Sequence, residues 1–257
     1  MTFENQNFIV VGGAKLGGIG LKFIRELFLN GVENVATFDI CDLSDAIAEL
    51  KSEFPDKTLL FNKVDVRKQA EIETAFKDVV NAFGHVDILA NFAGIFNEQK
   101  PMDVIEINLL GVIYATLIGI DHMSIAKGGR GGTILNMASI CGLDPFFWGP
   151  VYCASKHGVV GFTKSLAEKE LESELGIKFI IICPGFTETT LLTKVDSTLY
   201  GQNVASERPQ DIYGIQTVDQ CAKGIVEVMK KSKNGEAWIL SKGYHKKVDF
   251  QLYYKNN

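Results

Sequence analysis

Cysteine is sparse and scattered: five residues, at 41, 141, 153, 183 and 221, with no Cys-x-x-Cys among them. An odd, dispersed set excludes a disulfide framework and predicts free thiols in a reducing compartment. Positive charge is also short, leaving a net charge of -5, which argues against nucleic acid or an anionic membrane as partner. The Lys230, Lys231, Lys233 group reads as a helix C-terminus favoured by the macrodipole. No apolar run reads as long enough to cross a membrane. The polar stretch Glu4–Asn7 passes directly into the strand-like Phe8–Val11, without signal-peptide architecture. Repeats and low-complexity linkers are missing too. The expectation is a cytoplasmic protein folded as one domain over residues 1–257.

What is present is alternation. Short β-rich runs at 7–12, 34–39, 58–64, 86–91, 132–138, 177–183 and 235–240 are separated by helical patterns. Those patterns cover 18–30, 44–54, 68–83, 102–127, 150–175 and 217–232. Several strands are apolar throughout, as when both faces of a parallel sheet are covered. Gly31, Gly84 and Gly176 fall where helix C-termini need a left-handed residue.

The first strand runs into Gly12-Gly-Ala-Lys-Leu-Gly-Gly-Ile-Gly20 and then a helix. Bare backbone lets a diphosphate approach, and the helix N-terminus offers amide donors. A tight strand-to-helix turn would want the same glycines. The second strand ends in Asp39, nineteen residues past Gly20. An acid there suits the adenine-ribose hydroxyls and repels a 2′-phosphate, favouring NAD over NADP; the alternative, a strand-end turn residue, is disfavoured by the glycines beside it. Asp65 and Asn91-Phe-Ala-Gly94 close the next two strands, where ligands of such sheets sit. Gly94 would let backbone pass close to a cofactor, while Asn91 could pin neighbouring strands. Asn108 lies among apolar residues and needs a buried partner, structural or catalytic.

Ser139 to Lys156 carries the chemistry. Among seven tyrosines, Tyr152 alone has a lysine four residues on, and on a helix the two share a face. An ammonium one turn away should favour the phenolate and lower its pKa. Ser139 could return a hydroxyl to the same place. Cys153 and His157 are also four apart, but no third ligand accompanies them and no metal site is expected. Lys127–Gly132 lacks the ending of a phosphate loop.

These residues together resemble the short-chain dehydrogenases/reductases across the whole chain, in the branch of the hydroxyprostaglandin and insect alcohol dehydrogenases. The resemblance rests on Gly18-Ile19-Gly20, Asp39, Asp65-Val66, Asn91 with Ala93-Gly94, Asn108, Ser139, Tyr152 with Lys156, and Pro184-Gly185. It implies an α/β Rossmann-type domain, a doubly wound parallel sheet of seven strands in the order 3-2-1-4-5-6-7. It also implies an NAD-dependent alcohol dehydrogenase with Tyr152 as acid/base. Lys156 would tune the phenol and hold the nicotinamide ribose, Ser139 would bind the substrate oxygen, and Asn108 would hold a relay water. Phe186 and Thr189 would meet the carboxamide, and copies would pair into a homodimer or homotetramer. The chain departs from the family at the glycine turn, where either Ala14 replaces the first glycine or Gly13 serves with one more residue in the turn. Phe92 replaces a second asparagine.

Leu143, Phe146, Phe147 and Trp148 crowd a loop of turn formers and predict a pocket wall. The segment 187–217, with Leu191, Leu192, Val195, Leu199, Tyr200 and Tyr213, reads as a substrate lid. The aromatic tail 242–257 is expected to dock over this pocket or a neighbouring subunit. A lipophilic secondary alcohol or its ketone, such as a terpenoid, steroid or eicosanoid-like molecule, is the predicted substrate.

Overall fold

Strand β1 (Asn7–Val11) is buried along its whole length. Its side chains alternate, Phe8 and Val10 joining one core while Ile9 and Val11 join the other, which is the period of a strand covered on both faces. In the computed structural model, which describes residues 3–192 and 214–251, it is followed by β2 (Asn34–Asp39), β3 (Thr58–Lys63), β4 (Ile88–Asn91), β5 (Gly132–Met137), β6 (Ile177–Pro184), β7 (Ala237–Ser241) and β8 (Tyr244–Lys247). They form one sheet in the order β3-β2-β1-β4-β5-β6-β7-β8. The first seven run parallel and β8 is antiparallel to β7.

Helices α1 (Ile19–Leu29) and α2 (Ser44–Glu53) cover one face with α8 (Val218–Lys231). On the other lie α3 (Gln69–Phe83), α5 (Gly111–Met123) and α6 (Pro150–Leu166). In α3 the buried Ile72, Phe76 and Val79 recur at helical spacing. Gly31, Gly84 and Gly176 all take positive φ where their helices end, as expected. Helix α8 starts with a capping box between Thr217 and Gln220.

Four expectations need correction. The sheet has an eighth strand, because Lys242 and Gly243 both take positive φ and turn β7 back as a two-residue hairpin. Lys-Gly is a weak hairpin signal, and Tyr-His-Lys-Lys reads as polar tail; lysines suit such an edge. The tail's residues 252–257 lie outside the described residues. The long helix expected over 102–127 is α4 (Pro101–Ile105), a π-turn over Glu106–Leu110, then α5. The helix expected over 150–175 breaks after α6 and resumes as α7 (Lys169–Leu175); Asn234 donates to the Ala167 carbonyl at 3.0 Å there, fixing the break. Finally, Pro101–Met123 is 23 residues long and apolar enough to span a membrane by length and composition. Here it packs on the sheet: a Cβ on Gly119 would lie 2.6 Å from Leu89 and 3.4 Å from Ile134.

Candidate active site

The carboxyl ends of β1, β4, β5 and β6 open onto a cleft of about 1230 Å³, part of it open to solvent. The glycine turn forms one wall. A Cβ on Gly18 would lie 2.0 Å from the Gly13 carbonyl oxygen, and one on Gly20 2.5 Å from that of Gly12. Only glycine fits either place. Gly13 has a φ of +71° and lines the cleft with Gly18, Ile19 and Gly20. Ala14 is buried, its N–H pointing at Asp39 Oδ2 at 3.4 Å. Of the two alternatives for the turn, Gly13 is thus the residue facing the cleft.

Opposite the turn stands α6. Tyr152 and Lys156 are both buried on it and both line the cleft, the ammonium 5.7 Å from the phenol ring centroid. Lys156 Nζ donates to the Met137 carbonyl at 2.9 Å, and burial lowers its pKa to about 8. Burial pushes the Tyr152 phenol up, the neighbouring Cys141 adds to the rise, and Ser139 opposes it. Lys156 stands one turn further along the same helix. Its ammonium is weakened by desolvation and engaged with a backbone carbonyl. Ser139 lines the cleft and also accepts from Cys141 N at 3.1 Å. Cys141 and Cys153 pack beside the phenol, and the nearby Cys153 together with burial pushes the Cys141 thiol up.

Asn108 sits in the π-turn with no exposed surface. Its Oδ1 accepts from Ile95 N at 2.8 Å, while Nδ2 donates to Ile95 O at 2.9 Å and to Ser155 Oγ at 3.2 Å. Such π-turns favour functional sites. Here the extra residue brings a side-chain amide onto the loop after β4.

The other predicted residues divide. Gly94, Pro184, Gly185, Phe186 and Thr189 line the cleft. Ala93 does not, but it abuts Gly12, where a Cβ would lie 2.5 Å from its Cα. Asn91 donates to Thr116 Oγ1 at 3.1 Å and Asn136 Oδ1 at 2.8 Å, so it pins β4 to β5 and α5 beneath the site. Asp39 is buried at the end of β2 and accepts from Cys41 N at 3.0 Å as well as facing Ala14. Asp65 is gripped by Arg67, whose Nη2 reaches Oδ2 at 2.7 Å; that pairing lowers the carboxyl's pKa. Val66 packs under Gly111, where a Cβ would lie 2.8 Å from its Cγ2.

Phe146, Leu191 and Leu192 line the cleft, but Leu143, Phe147 and Trp148 do not. Leu143 packs against the core of Val159 and Val160. Phe147 and Trp148 stack on each other at 3.6 Å, with Phe147 57% exposed. The two ends of the expected lid meet, Thr187 bridging to Gln216; its Val195, Leu199, Tyr200 and Tyr213 lie outside the described residues. Ile95, Phe96, Ile140 and Cys141 were missed by sequence reasoning. The first two directly follow Gly94, so the rule that ligands gather at strand ends would have found them. Among the described residues no group of three or more His, Cys, Asp or Glu is placed to hold a metal ion.

The sequence pattern of the short chain dehydrogenases matches residues 6–199. The chain belongs to that family. It is similar to 15-hydroxyprostaglandin dehydrogenase [NAD(+)] of Rattus norvegicus, 37% identical over 248 residues and 92% of each chain. Alcohol dehydrogenase 1 of Ceratitis cosyra is 32% identical over 257 residues, 99% of each chain. Among solved structures, levodione reductase superposes with a TM-score of 0.79 over 94% of this chain and 98% of its own, at 22% identity, a likeness of fold. As a short-chain dehydrogenase the chain is an oxidoreductase of alcohol dehydrogenase type.

Proposed function

We propose that this short-chain dehydrogenase interconverts a lipophilic secondary alcohol and its ketone with NAD, acting in the cytoplasm as a homodimer or homotetramer. One observation carries the reading: Tyr152 and Lys156 line the same cleft as the glycine turn. The turn fits a dinucleotide, since Gly13, Gly18 and Gly20 line the cleft with bare backbone and side chains at 18 and 20 would collide with the turn's own carbonyls. Gly13, Gly18, Ile19 and Gly20 would hold the diphosphate. Asp39 would face the adenine ribose, with Asp65 and Val66 beyond it. Gly94, Pro184, Gly185, Phe186 and Thr189 would flank the nicotinamide, whose ribose would meet Lys156. Bound NAD supplies the hydride acceptor and a positive ring.

The chain's own groups then handle the proton. Ser139 holds the alcohol oxygen, and Tyr152 takes the hydroxyl proton in oxidation or returns it in reduction. Lys156 adds positive charge one turn away. Asn108 fixes the loop that forms the floor, and its amide is committed to Ile95 and Ser155.

The substrate end is apolar, with Ile95, Phe96, Ile140, Phe146, Leu191 and Leu192 on its walls. Among the described residues, the lysines on the cleft are Lys15, in the glycine turn, and Lys156. Purified protein should therefore reduce NAD with long-chain or polycyclic secondary alcohols, followed by NADH fluorescence. Activity confined to small charged hydroxy acids would defeat the substrate class, and no turnover with any alcohol would point to a binding protein on this fold. Exposed Met102 and Leu117 on α4 and α5 suit pairing between copies, and size-exclusion chromatography with light scattering reads the assembly.

Two substitutions probe the cofactor end. Gly18→Ala should weaken NADH binding by at least about tenfold, or about 1.4 kcal/mol, because the methyl forces the Gly13 carbonyl out of place. Asp39→Asn should shift the ratio of kcat/KM for NADP over NAD upward by about tenfold as charge repulsion with the 2′-phosphate is lost. Asparagine keeps one acceptor for the turn. An unchanged ratio would remove Asp39 from cofactor choice.

A further inference from the structure

Helix α6 begins without a cap of its own. Its N-cap is Gly149, which has no side chain, and Pro150 follows at the first helical position. The first free N–H groups are those of Val151 and Tyr152, and a helix end leaves such donors without intrahelical partners. Both are taken by one carboxylate from another part of the chain. Glu98 Oε2 accepts from Val151 N at 2.9 Å, and Oε1 accepts from Tyr152 N at 2.9 Å. Glu98 has no exposed surface. None of the ion pairs among the described residues includes it. A buried carboxylate is costly unless hydrogen-bonded, and here the two amides and the positive end of α6 are its compensation.

The loop bearing Glu98 is held at both ends. Asn108 clamps Ile95 through both its N–H and its carbonyl, and Gly94, the residue before, lines the cleft. Between them the Phe96 ring lies 5.4 Å from the Tyr152 ring. Gly149 is where the loop and the helix touch, since a Cβ there would lie 2.6 Å from Phe96 and 3.4 Å from Glu98 Oε1. Loop 94–98 therefore ties the floor of the cleft to the backbone of Tyr152 itself.

We propose that Glu98 is a positioning residue for the dehydrogenase reaction, setting the phenol's place over the cleft by clamping the first turn of α6. It touches neither substrate nor cofactor. This inference rests on the function proposed above, and it makes a separate structural statement that can be checked without turnover.

The test uses the full-length chain with Glu98→Gln and Glu98→Asp. Gln loses the charge and turns one amide donor toward a backbone N–H, whereas Asp keeps the charge on a stem one methylene shorter. Amide exchange of the peptide around Val151 and Tyr152, read by mass spectrometry, should speed up about tenfold in Glu98→Gln, equivalent to about 1.4 kcal/mol of local protection. With the best alcohol of the panel, kcat should fall about 30-fold, within the 10²-fold that a 1 Å misplacement costs. Alcohol KM and the NADH dissociation constant should stay within about twofold of wild type, and Glu98→Asp should recover part of kcat. Unchanged exchange, or kcat of Glu98→Gln within about threefold of wild type, overturns the proposal. So does a parallel loss of kcat, NADH affinity and melting temperature in both variants. If Glu98→Gln does not fold, Glu98→Asp carries the same comparison. A wild type inactive on every alcohol sinks the functional reading, and the exchange result still decides the clamp.

Discussion

Tyr152→Phe should lower turnover of the preferred alcohol by about 10³-fold, within the range supplied by general acid–base catalysis, while NADH still binds with wild-type affinity. Tyr152 lines the cleft, where its phenol can exchange a proton with a bound alcohol. Phenylalanine keeps the ring contact with Phe96 and removes only the hydroxyl. Burial raises this phenol and Ser139 pulls it back, so alcohol oxidation should accelerate as pH rises and the base form accumulates. Ketone reduction should run the other way. Equal rates for Tyr152→Phe and wild type in NADH fluorescence would remove the tyrosine from the chemistry.

Lys156→Met should also abolish most turnover, yet stabilise the fold at neutral pH. Burial depresses the Lys156 pKa from 10.5 to about 8. The unfolded chain therefore binds this proton more tightly than the folded one, and the ammonium destabilises the native state below pH 8. That penalty, at most about 3 kcal/mol for a shift of this size, disappears as pH rises from 8 through 10.5. Part of the gain is offset because the Met137 carbonyl loses its donor. The melting temperature of Lys156→Met should exceed that of wild type at pH 7 by several degrees, and the gap should close by pH 10.5. A gap that widens with pH, or a variant less stable throughout, would show that the ammonium is well compensated in its site.

Much of this architecture is written locally. The apolar run Phe8–Val11 and the glycines after it announce a central strand and a tight turn into α1, and Gly18 proves irreplaceable on contact distances alone. Tyr152 and Lys156 are legible because one helical turn fixes their relation. Roles that depend on what lies across the cleft are less legible. The fourfold spacing correctly pairs the phenol with the ammonium, but it says nothing of Met137, whose carbonyl engages the ammonium instead. Leu143, Phe147 and Trp148 share a loop with Phe146, yet only Phe146 turns inward, because side-chain direction in a loop follows tertiary packing. Asn108 is visible as a polar residue in an apolar run, but its partner Ile95 lies thirteen residues away and depends on a π-turn that no periodicity announces. Glu98 gives no signal in sequence, since its purpose lies 53 and 54 residues downstream.

The greasy helical run Pro101–Met123 has a consequence for how the chain must be made. Its Gly119 is wedged between Leu89, already synthesised, and Ile134, which the ribosome adds later. Of the sheet strands that cover its inner side, β4 precedes it and β5 emerges after it. During translation this segment stands uncovered, apolar enough to pass for a membrane anchor, until its C-terminal neighbours arrive. Chains halted before β5 should consequently be sticky clients of chaperones, whereas the completed sheet hides the same surface.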